Sequence, residues 1–351
     1  MVRPADTARR EVLPLSSDLE LRRRFMVVDA PIRGNLRFGR LLEALDKLAE
    51  ETALAHARRA DPGARVVTAA IDNIRVRHPA DVNRDLVLKA SVNFVGRTSI
   101  VVGIRVEHDA DGADHIASCY FTMVARPGEE GAKAPPVLSP LEYEDELERA
   151  RRDKAVRNRE RFREQRSAAL DPPSPEEYAL LAGLHAAHDE ADFDQLLVSD
   201  LTASSWERTY PEQENVPRKI FGGVLVRKAY ELAAINAESV TPDRPVVVAV
   251  NRINFFRPVR MGDKLHFLSR VVYTGRTSVC VEVNIERISL DRTVKALSNA
   301  CLFTFVNVDA DLVPQPVPAV YPTTYAEDAR YLAAFRRNMA HLKFKKGIRG
   351  R

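Results

Sequence analysis

The sequence contains an internal repeat, and a repeat fixes an architecture more firmly than local propensity does. The tetrapeptide Gly-Arg-Thr-Ser occurs at 96–99 and recurs at 275–278, 179 positions later. Further residues match at the same spacing without a gap: Val67 and Val246, Ala70 and Ala249, Ile74 and Ile253, Pro79 and Pro258, Leu86 and Leu265, and Glu107 and Glu286. We therefore expect one structural unit to occur twice, in residues 27–125 and 206–306.

Four β-strands are predicted in each copy, because runs rich in β-branched and aromatic residues alternate with Asp, Gly, Asn and Pro turns. In the first copy they are expected at Val66–Val76, Leu86–Val95, Ser99–Glu107 and Ile116–Val124, and the second copy repeats all four. The last hairpin is three residues longer in the second copy, since Cys-Tyr-Phe-Thr at 119–122 corresponds to Cys-Leu-Phe-Thr at 301–304.

An apolar helix precedes the strands in each copy. Residues 41–55 carry small and apolar side chains at spacings of three and four, and residues 225–232 follow the same pattern. A further strand is expected before each helix, at Phe25–Val28 and Trp206–Tyr210. A helix of this kind must be buried against a single curved antiparallel sheet, so the predicted fold class is α+β.

The length of 351 residues suggests two domains, since domains usually contain about 100–150 residues. We place them at 1–126 and 201–310, joined by a charged helical linker at 127–200 and followed by a C-terminal extension with a basic tail at 311–351. The run 141–166 is charged on nearly every side, which is typical of a solvated helix. A net charge of +4 is too small to indicate a nucleic-acid partner.

No membrane or export signal is recognised in the sequence. No stretch approaches the roughly 20 apolar residues of a membrane-spanning helix, and the N-terminus lacks the apolar core of a signal peptide. A cytoplasmic location is therefore expected. Cys119, Cys280 and Cys301 lie in apolar strand-like runs without C-x-x-C spacing, so we expect buried free thiols rather than disulfides or zinc ligands.

Familiar catalytic motifs are absent: the sequence has no G-x-S-x-G of a serine esterase, no H-E-x-x-H and no phosphate-binding glycine loop. His185 and His188 are three residues apart beside Asp189, but they lie in a polar segment without a third ligand. We interpret them as surface residues and expect neither a metal nor a cofactor.

The start of the second apolar helix is the remaining candidate site. Gly222 and Gly223 stand where that helix begins. Glycine lets a ligand approach the backbone, and the first N–H groups of a helix have no internal partner, so they can face negative charge on a ligand oxygen. Tight packing of helix and sheet is an equally good explanation of glycine at this position.

The stretch beginning at Asn215 resembles the pattern Asn-x-x-Gly-x-x-Phe-Gly-Gly-x-Leu-Leu-x-x-x-Asp of hotdog-fold acyl-CoA thioesterases. In such proteins an antiparallel sheet wraps a long helix. The resemblance covers both copies. The charged linker together with the segment IFGGVLVRKAYELA at 220–233 is most similar to mitochondrial double-hotdog acyl-CoA thioesterases and their bacterial relatives. It implies an α+β tandem hotdog.

The resemblance also implies that the two copies differ chemically. The second copy keeps Asn215, Gly222 and Gly223 but has Tyr230 in the acid position of the pattern, whereas the first copy keeps the acid as Asp46. The first copy has Pro31 in the asparagine position and glycines at 34 and 39, and the departures from the pattern are Arg218, Arg37 and Phe38. Because the family's site forms between paired units, one complete site per chain is implied, with Asn215 and Gly222 facing Asp46.

The implied activity is hydrolysis of acyl-CoA to a free acid and CoA. The Gly222 N–H and the Asn215 amide would bind the thioester oxygen, and Asp46 would activate water or attack directly. Contacts to the coenzyme are expected from Gly223 and from the two Gly-Arg-Thr-Ser turns, through Arg97, Thr98, Ser99, Arg276, Thr277 and Ser278. For each of these turn residues, simple turn geometry is an alternative explanation.

Two other functions remain open at this point. A non-catalytic acyl-CoA sensor would bind the same ligand without turnover, and a hotdog hydratase or dehydratase would need a catalytic histidine, for which His78 is the candidate. The resemblance further implies a homo-oligomer, a trimer of double hotdogs. The preferred acyl-chain length does not follow from the sequence.

Overall fold

The fold is described from a computed structural model covering residues 2–349, except residues 73, 110–113, 128–135, 169–170, 189, 191 and 217–218. Within this range, the side chains of 162–163, 165–168, 214–216, 219–220, 252 and 341–349 are not described.

Six helices occur in the described residues. They are α1 (Leu19–Phe25), α2 (Phe38–Ala57), α3 (Glu146–Ala168), α4 (Pro175–His188), α5 (Gly222–Glu238) and α6 (Tyr325–Arg349), with short 3-10 turns at Pro4–Thr7 and Pro211–Gln213. The inner helices predicted in the two copies are α2 and α5. None of the described helices is both long and apolar enough to cross a membrane.

The strands of the first unit are β1 (Arg9–Leu13), β2 (Arg65–Ile71), β3 (Ile74–Val76), β4 (Leu86–Val95), β5 (Ser99–His108) and β6 (His115–Arg126). Those that follow are β7 (Leu196–Leu197), β8 (Thr202–Arg208), β9 (Glu214–Val216), β10 (Lys219–Ile220), β11 (Arg244–Phe255), β12 (Lys264–Thr274), β13 (Ser278–Ile288), β14 (Lys295–Val308) and β15 (Val320–Tyr321). All four strands predicted for the first copy are present, the first of them interrupted into β2 and β3.

One antiparallel sheet of eleven strands runs through both units. Its order is β1-β4-β5-β6-β2-β11-β14-β13-β12-β8, with β3 paired to β6 and β11. The units meet at β2 and β11, where Ile71 pairs with Ile253 and Ala70 with Asn254. Because both strands come from equivalent places in the repeat, the two units are related by an approximate two-fold axis through this junction. The architecture is the tandem hotdog that the resemblance implied.

The inner helices are buried between the sheet and each other. Leu41, Leu42 and Leu45 on α2 are completely inaccessible to solvent, as are Ala229 and Ala233 on α5. Each helix contacts the sheet of its own unit, and the two helices also contact each other. Burial of this apolar surface is the main stabilising contribution, at about 25 cal/mol per Å².

The strand predicted at Phe25–Val28 is wrong. Residues 19–25 form α1, whose first turn is capped by the Asp18 carboxylate accepting a hydrogen bond from the Leu21 N–H at 2.9 Å. The edge strand of the first unit is instead β1, which pairs with β4 from Arg9 to Leu13. The corresponding prediction for the second unit is confirmed as β8, although the strand is Thr202–Arg208 rather than 206–210.

The charged helix α3 packs on the sheet of the first unit, against β4 and β5. Ala155 of α3 is buried with Val101 and Tyr120 of the sheet, and Phe94 packs against this small cluster. Helix α6 lies equivalently in the second unit, where Tyr331 packs edge-on against Tyr273 with ring centroids 5.1 Å apart. Phe94 and Tyr273 are related by the repeat spacing of 179, so each unit carries its own outer helix. The division into domains and linker made from the sequence stays a prediction.

Candidate active site

The inner helices cross so that the start of each lies against the middle of the other. A Cβ atom added to Gly222 would lie 3.1 Å from Asp46 Oδ2, and one added to Gly223 would lie 3.1 Å from the Cα atom of Glu43. At the other end of the contact, a Cβ atom on Gly39 would lie 3.2 Å from the Tyr230 ring. The helices are therefore antiparallel, and Asp46 of the first unit faces Gly222 of the second.

Asp46 is a completely buried carboxylate on α2. Its Oδ1 atom accepts a hydrogen bond from the Thr68 hydroxyl on β2 at 2.8 Å. Its Oδ2 atom has no hydrogen-bond partner of normal geometry among the described residues, although the Gly223 N–H approaches closely enough to stabilise the charged carboxylate. One oxygen is thus anchored, and the other is directed at the start of α5.

Burial raises the pKa of Asp46 from 3.8 to about 7, and the neighbouring carboxylates of Glu50 and Glu43 add to this rise. The Thr68 hydroxyl and the Gly223 N–H act in the opposite direction because both stabilise the charged form. A carboxylate with a pKa near 7 is well matched to proton transfer at neutral pH. Perturbed acids of this kind are concentrated at functional sites.

The first turn of α5 receives no hydrogen bond from a capping side chain. The N-cap residue, Phe221, has extended backbone angles. The ring of Phe255 lies over Gly222, where an added Cβ atom would be 3.1 Å from a ring carbon. Glycine packs closely here, because an added Cβ atom would lie 3.1 Å from both Asp46 Oδ2 and the Phe255 ring, so that one of these neighbours would have to move by a few tenths of an ångström.

The pseudo-symmetric position is closed by aromatic packing. Tyr230 is buried, and its ring centroid lies 5.5 Å from that of Phe38, 5.7 Å from Phe303 and 5.9 Å from Phe305. Burial raises the pKa of the Tyr230 hydroxyl, so it carries no charge at neutral pH. Where Asp46 stands in the first unit, the second unit therefore has an uncharged tyrosine in an aromatic cluster.

Asn215 lies in β9, and β9 and β10 form a short hairpin that leads directly into α5. Its side chain and residues 217–218, including the departure Arg218, lie outside the described residues. The backbone therefore brings Asn215 to the approach of the helix start, and its contact with a ligand stays a prediction.

The two Gly-Arg-Thr-Ser segments form the hairpin turns between β4 and β5 and between β12 and β13. In each, the glycine N–H donates to the carbonyl of the serine three residues later at 2.8 Å: Gly96 to Ser99 and Gly275 to Ser278. The Thr98 carbonyl accepts a hydrogen bond from the Ala125 N–H of β6, and the Thr277 carbonyl accepts one from the Asn307 N–H of β14. Turn geometry thus accounts for the glycine and serine, while Arg97 and Arg276 are exposed and available to a phosphate. Their role in coenzyme binding stays a prediction.

Thr68 is the residue of this site that the sequence interpretation missed. At the repeat spacing of 179 it corresponds to Val247. The copy that keeps the acid therefore has a hydroxyl on β2, and the copy that lost the acid has an apolar residue at the equivalent place on β11. A comparison of the two copies, looking for positions that are polar in one strand and apolar in the equivalent strand, would have identified Thr68.

The histidine candidates do not extend the site. The His185 Nε2 atom lies 3.1 Å from Asp328 Oδ1 on α6, and the His188 ring packs edge-on against Phe193. Asp189 lies outside the described residues, and no cluster of three or more metal-ligating side chains occurs within the described part of the chain. His78 is exposed in a turn. The three cysteines are free and buried, as expected.

Comparison with known proteins identifies the same two regions. Residues 34–126 and 219–292 match the Thioesterase superfamily. The chain is 31% identical over 340 residues to the mitochondrial acyl-coenzyme A thioesterase 9 of Mus musculus, covering 92% of this chain and 74% of that protein. It is 30% identical over 339 residues to the Homo sapiens protein of the same name, with the same coverage of both chains.

Among solved structures, an acyl-ACP thioesterase from Bacteroides thetaiotaomicron aligns with a TM-score of 0.51. The alignment covers 87% of this chain and 100% of that one, at 10% sequence identity. At this identity the likeness concerns the fold alone, and it extends over both units and their junction.

Proposed function

The chain belongs to the thioesterase superfamily and is an acyl-CoA thioester hydrolase, and from this premise we propose that it works through a single composite site. Asp46 and Thr68 come from the first unit, and the helix start at Gly222 and Gly223 comes from the second. The observation that carries the proposal is the approach of Gly222 to Asp46 Oδ2, with Tyr230 at the equivalent place in the other half.

In this proposal the thioester carbonyl binds at the start of α5. The Gly222 N–H donates to the carbonyl oxygen, and the positive end of the helix dipole favours the charge that develops there. A well-placed donor of this kind contributes on the order of 10²–10³ in rate. Asn215 would supply the second donor, since the hairpin that holds it leads into this helix.

Asp46 supplies the basic group. In one route its Oδ2 atom removes a proton from water, whose oxygen adds to the carbonyl carbon to form a tetrahedral intermediate. Collapse of this intermediate breaks the carbon–sulfur bond, and the proton returns from Asp46 to the CoA sulfur. In the other route Oδ2 attacks the carbon directly, CoA leaves as the thiolate, and water hydrolyses the resulting anhydride. The geometry supports both routes equally.

Thr68 holds the carboxylate in the orientation that either route needs. The Thr68 hydroxyl donates a hydrogen bond to Asp46 Oδ1, so Asp46 Oδ2 is the carboxylate oxygen that faces the helix start. The hydrogen bond also stabilises the ionised form, which limits the rise in pKa caused by burial.

Assembly and location remain predictions. We propose a trimer of double hotdogs, which is the assembly that the resemblance to double-hotdog thioesterases implies. The cytoplasmic location expected from the sequence is not supported by the relatives, which are named as mitochondrial proteins.

The test compares two substitutions at equivalent positions. Thiol release from short, medium and long acyl-CoAs is followed for wild type, Asp46→Asn and Tyr230→Phe. We expect Asp46→Asn to lose at least roughly 10³ in kcat/KM, and Tyr230→Phe to change it by less than about 3-fold. Hydrolysis that survives Asp46→Asn would refute the composite site, and tight binding without any hydrolysis by wild type would favour the sensor.

A further inference from the structure

A continuous series of ion pairs joins the two inner helices and has no part in the mechanism above. Arg227 Nε lies 2.9 Å from Glu43 Oε2, and Arg227 Nη1 lies 3.3 Å from Glu231 Oε2. Arg40 approaches the same oxygen of Glu43 at 3.0 Å, and Arg37 approaches Glu231 Oε1 at 2.7 Å. The five side chains therefore form one series across the helix contact, with Arg227 at its centre.

Glu43 and Arg227 occupy equivalent positions in the two copies. Each follows the helix-start glycine, Gly39 or Gly223, by four residues and precedes Asp46 or Tyr230 by three. Two identical helices related by a two-fold axis would place like charges together at this point. The duplicated chain instead places an arginine of the inactive half against an acid of the active half.

We propose that Arg227 is a positioning residue for hydrolysis, which neutralises Glu43 and thereby keeps the Asp46 carboxylate ionised at neutral pH. The proposal rests on the assignment of Asp46 as the reacting carboxylate. Glu43 is one helical turn from Asp46, where side chains are neighbours with Cβ atoms about 5–6 Å apart. The side chains of Arg227 and Glu43 are only 15% and 24% exposed, so water screens their charges weakly.

The groups around Asp46 determine whether its charged form is favoured, and Arg227 acts on one of them. From α2, Glu43 and Glu50 both disfavour its charged form; from β2 the Thr68 hydroxyl favours it, and from α5 the Gly223 N–H does the same. The ring of Phe255 comes from β11 and carries no charge. Arg227 is the cation that the second unit places on one of these two acids, and Arg40 assists it from the first unit.

Removing Arg227 should move the pH dependence of catalysis. Without Arg227 the Glu43 charge is no longer compensated from the second unit, and a unit charge about 8 Å from the Asp46 carboxylate, at an effective dielectric constant of 20–80, shifts a pKa by roughly 0.4–1.5 pH units. Because Asp46 must be ionised to act, kcat/KM rises with pH through its pKa. We therefore expect Arg227→Gln to move this rise to higher pH, lowering activity several-fold at pH 7 but little at pH 9. Glu43→Gln should move it to lower pH.

The experiment is a double-mutant cycle in pH profiles. Profiles of kcat/KM from pH 5.5 to 9.5 are measured for wild type, Arg227→Gln, Glu43→Gln and the double variant, with the thermal unfolding midpoint recorded for each. If Arg227 acts through Glu43, its substitution shifts the profile only where Glu43 is present. Arg227→Lys keeps the charge and should leave the profile in place, which keeps the proposal testable if Arg227→Gln does not fold.

Glu231→Gln is the matched control, because it removes the other carboxylate paired with Arg227, on the side of the contact that carries Tyr230. We expect its profile to coincide with wild type. An equal shift from Arg227→Gln in the presence and absence of Glu43, or no shift in either background, would overturn the proposal. Activity that persists in Asp46→Asn would instead refute the proposed function, so the two failures are distinguishable.

Discussion

Asp46 should make the folded protein less stable as the pH rises, and Asp46→Asn should remove this effect. The pKa of the carboxyl is raised by folding from 3.8 to about 7, so the folded chain holds this proton more tightly than the unfolded chain. Stability is therefore lost as pH rises between these two values, and the loss is complete above the higher one. A rise of this size corresponds to about 4 kcal/mol at 1.36 kcal/mol per pH unit.

The change in the free energy of unfolding between two pH values separates the effect of the Asp46 charge from the other effects of the Asp46→Asn substitution. At pH 5 about 2 kcal/mol of this cost is already present, and at pH 8 about 4 kcal/mol, from the linkage relation. Wild type should therefore lose about 2–3 kcal/mol relative to Asp46→Asn between pH 5 and pH 8. If the 351 residues unfold as one unit, that is roughly 3–4 °C in the unfolding midpoint, at about 2.1 cal/mol/K of unfolding entropy per residue.

The assay is thermal and urea unfolding at pH 5 and pH 8, followed by fluorescence and circular dichroism. Asp29→Asn is the control, since Asp29 is 75% exposed and the chemical change is the same. If wild type and Asp46→Asn lose the same stability between the two pH values, burial does not perturb Asp46 and the reasoning fails.

Two further substitutions test the details of the site. Thr68→Val removes the hydrogen bond to Asp46 Oδ1 and should move the rise of kcat/KM to higher pH by roughly 1–2 units; a profile unchanged from wild type would contradict the role of Thr68. Gly222→Ala adds a Cβ atom 3.1 Å from Asp46 Oδ2 and should lower kcat/KM by on the order of 10². Gly39→Ala makes an equally close contact with Arg227 Cγ in the half that contains Tyr230, and it should stay within about 5-fold of wild type. Equal losses in both glycine variants would contradict the proposed asymmetry.

The repeat allowed much of the fold to be predicted, because a match between two copies reports three-dimensional equivalence directly. The start of α5 at Gly222 and the four strands that follow the inner helix of each unit were predicted in this way, whereas the interruption between β2 and β3 was not. The edge strand of the first unit was misplaced because its signal is weak: β1 carries three charged residues in five, whereas Phe25–Val28 is apolar. The N-cap at Asp18 and the basic residues in the last turn of α1 stabilise a helix in the segment that precedes Met26.

The packing of the outer helices could not be predicted from periodicity. Helix α3 has almost no apolar side, and it contacts the sheet through Ala155, with the side chains of Lys154 and Arg159 lying over aromatic rings of Tyr120 and Phe94. Such contacts use the face of an aromatic ring rather than an apolar stripe, so a charged sequence conceals them.

The pairing of Asp46 with Gly222 was predicted from a resemblance, and the structure places the two residues together. Thr68 and the ion pairs centred on Arg227 were not predicted, because they depend on which side chains meet across the helix contact. Both become visible when the two copies are compared for differences: Thr68 with Val247, and Glu43 with Arg227. Divergence between the copies carries more information about the site than their identity does.

The number of active sites per chain tests the central claim most directly. A non-hydrolysable thioether analogue of acyl-CoA is titrated into the protein by calorimetry. The protein concentration is expressed in moles of chain, from the chain mass of 39.3 kDa. A composite site predicts one analogue bound per chain. Two equivalent analogues per chain would contradict the account, because the half that contains Tyr230 would then be a working site.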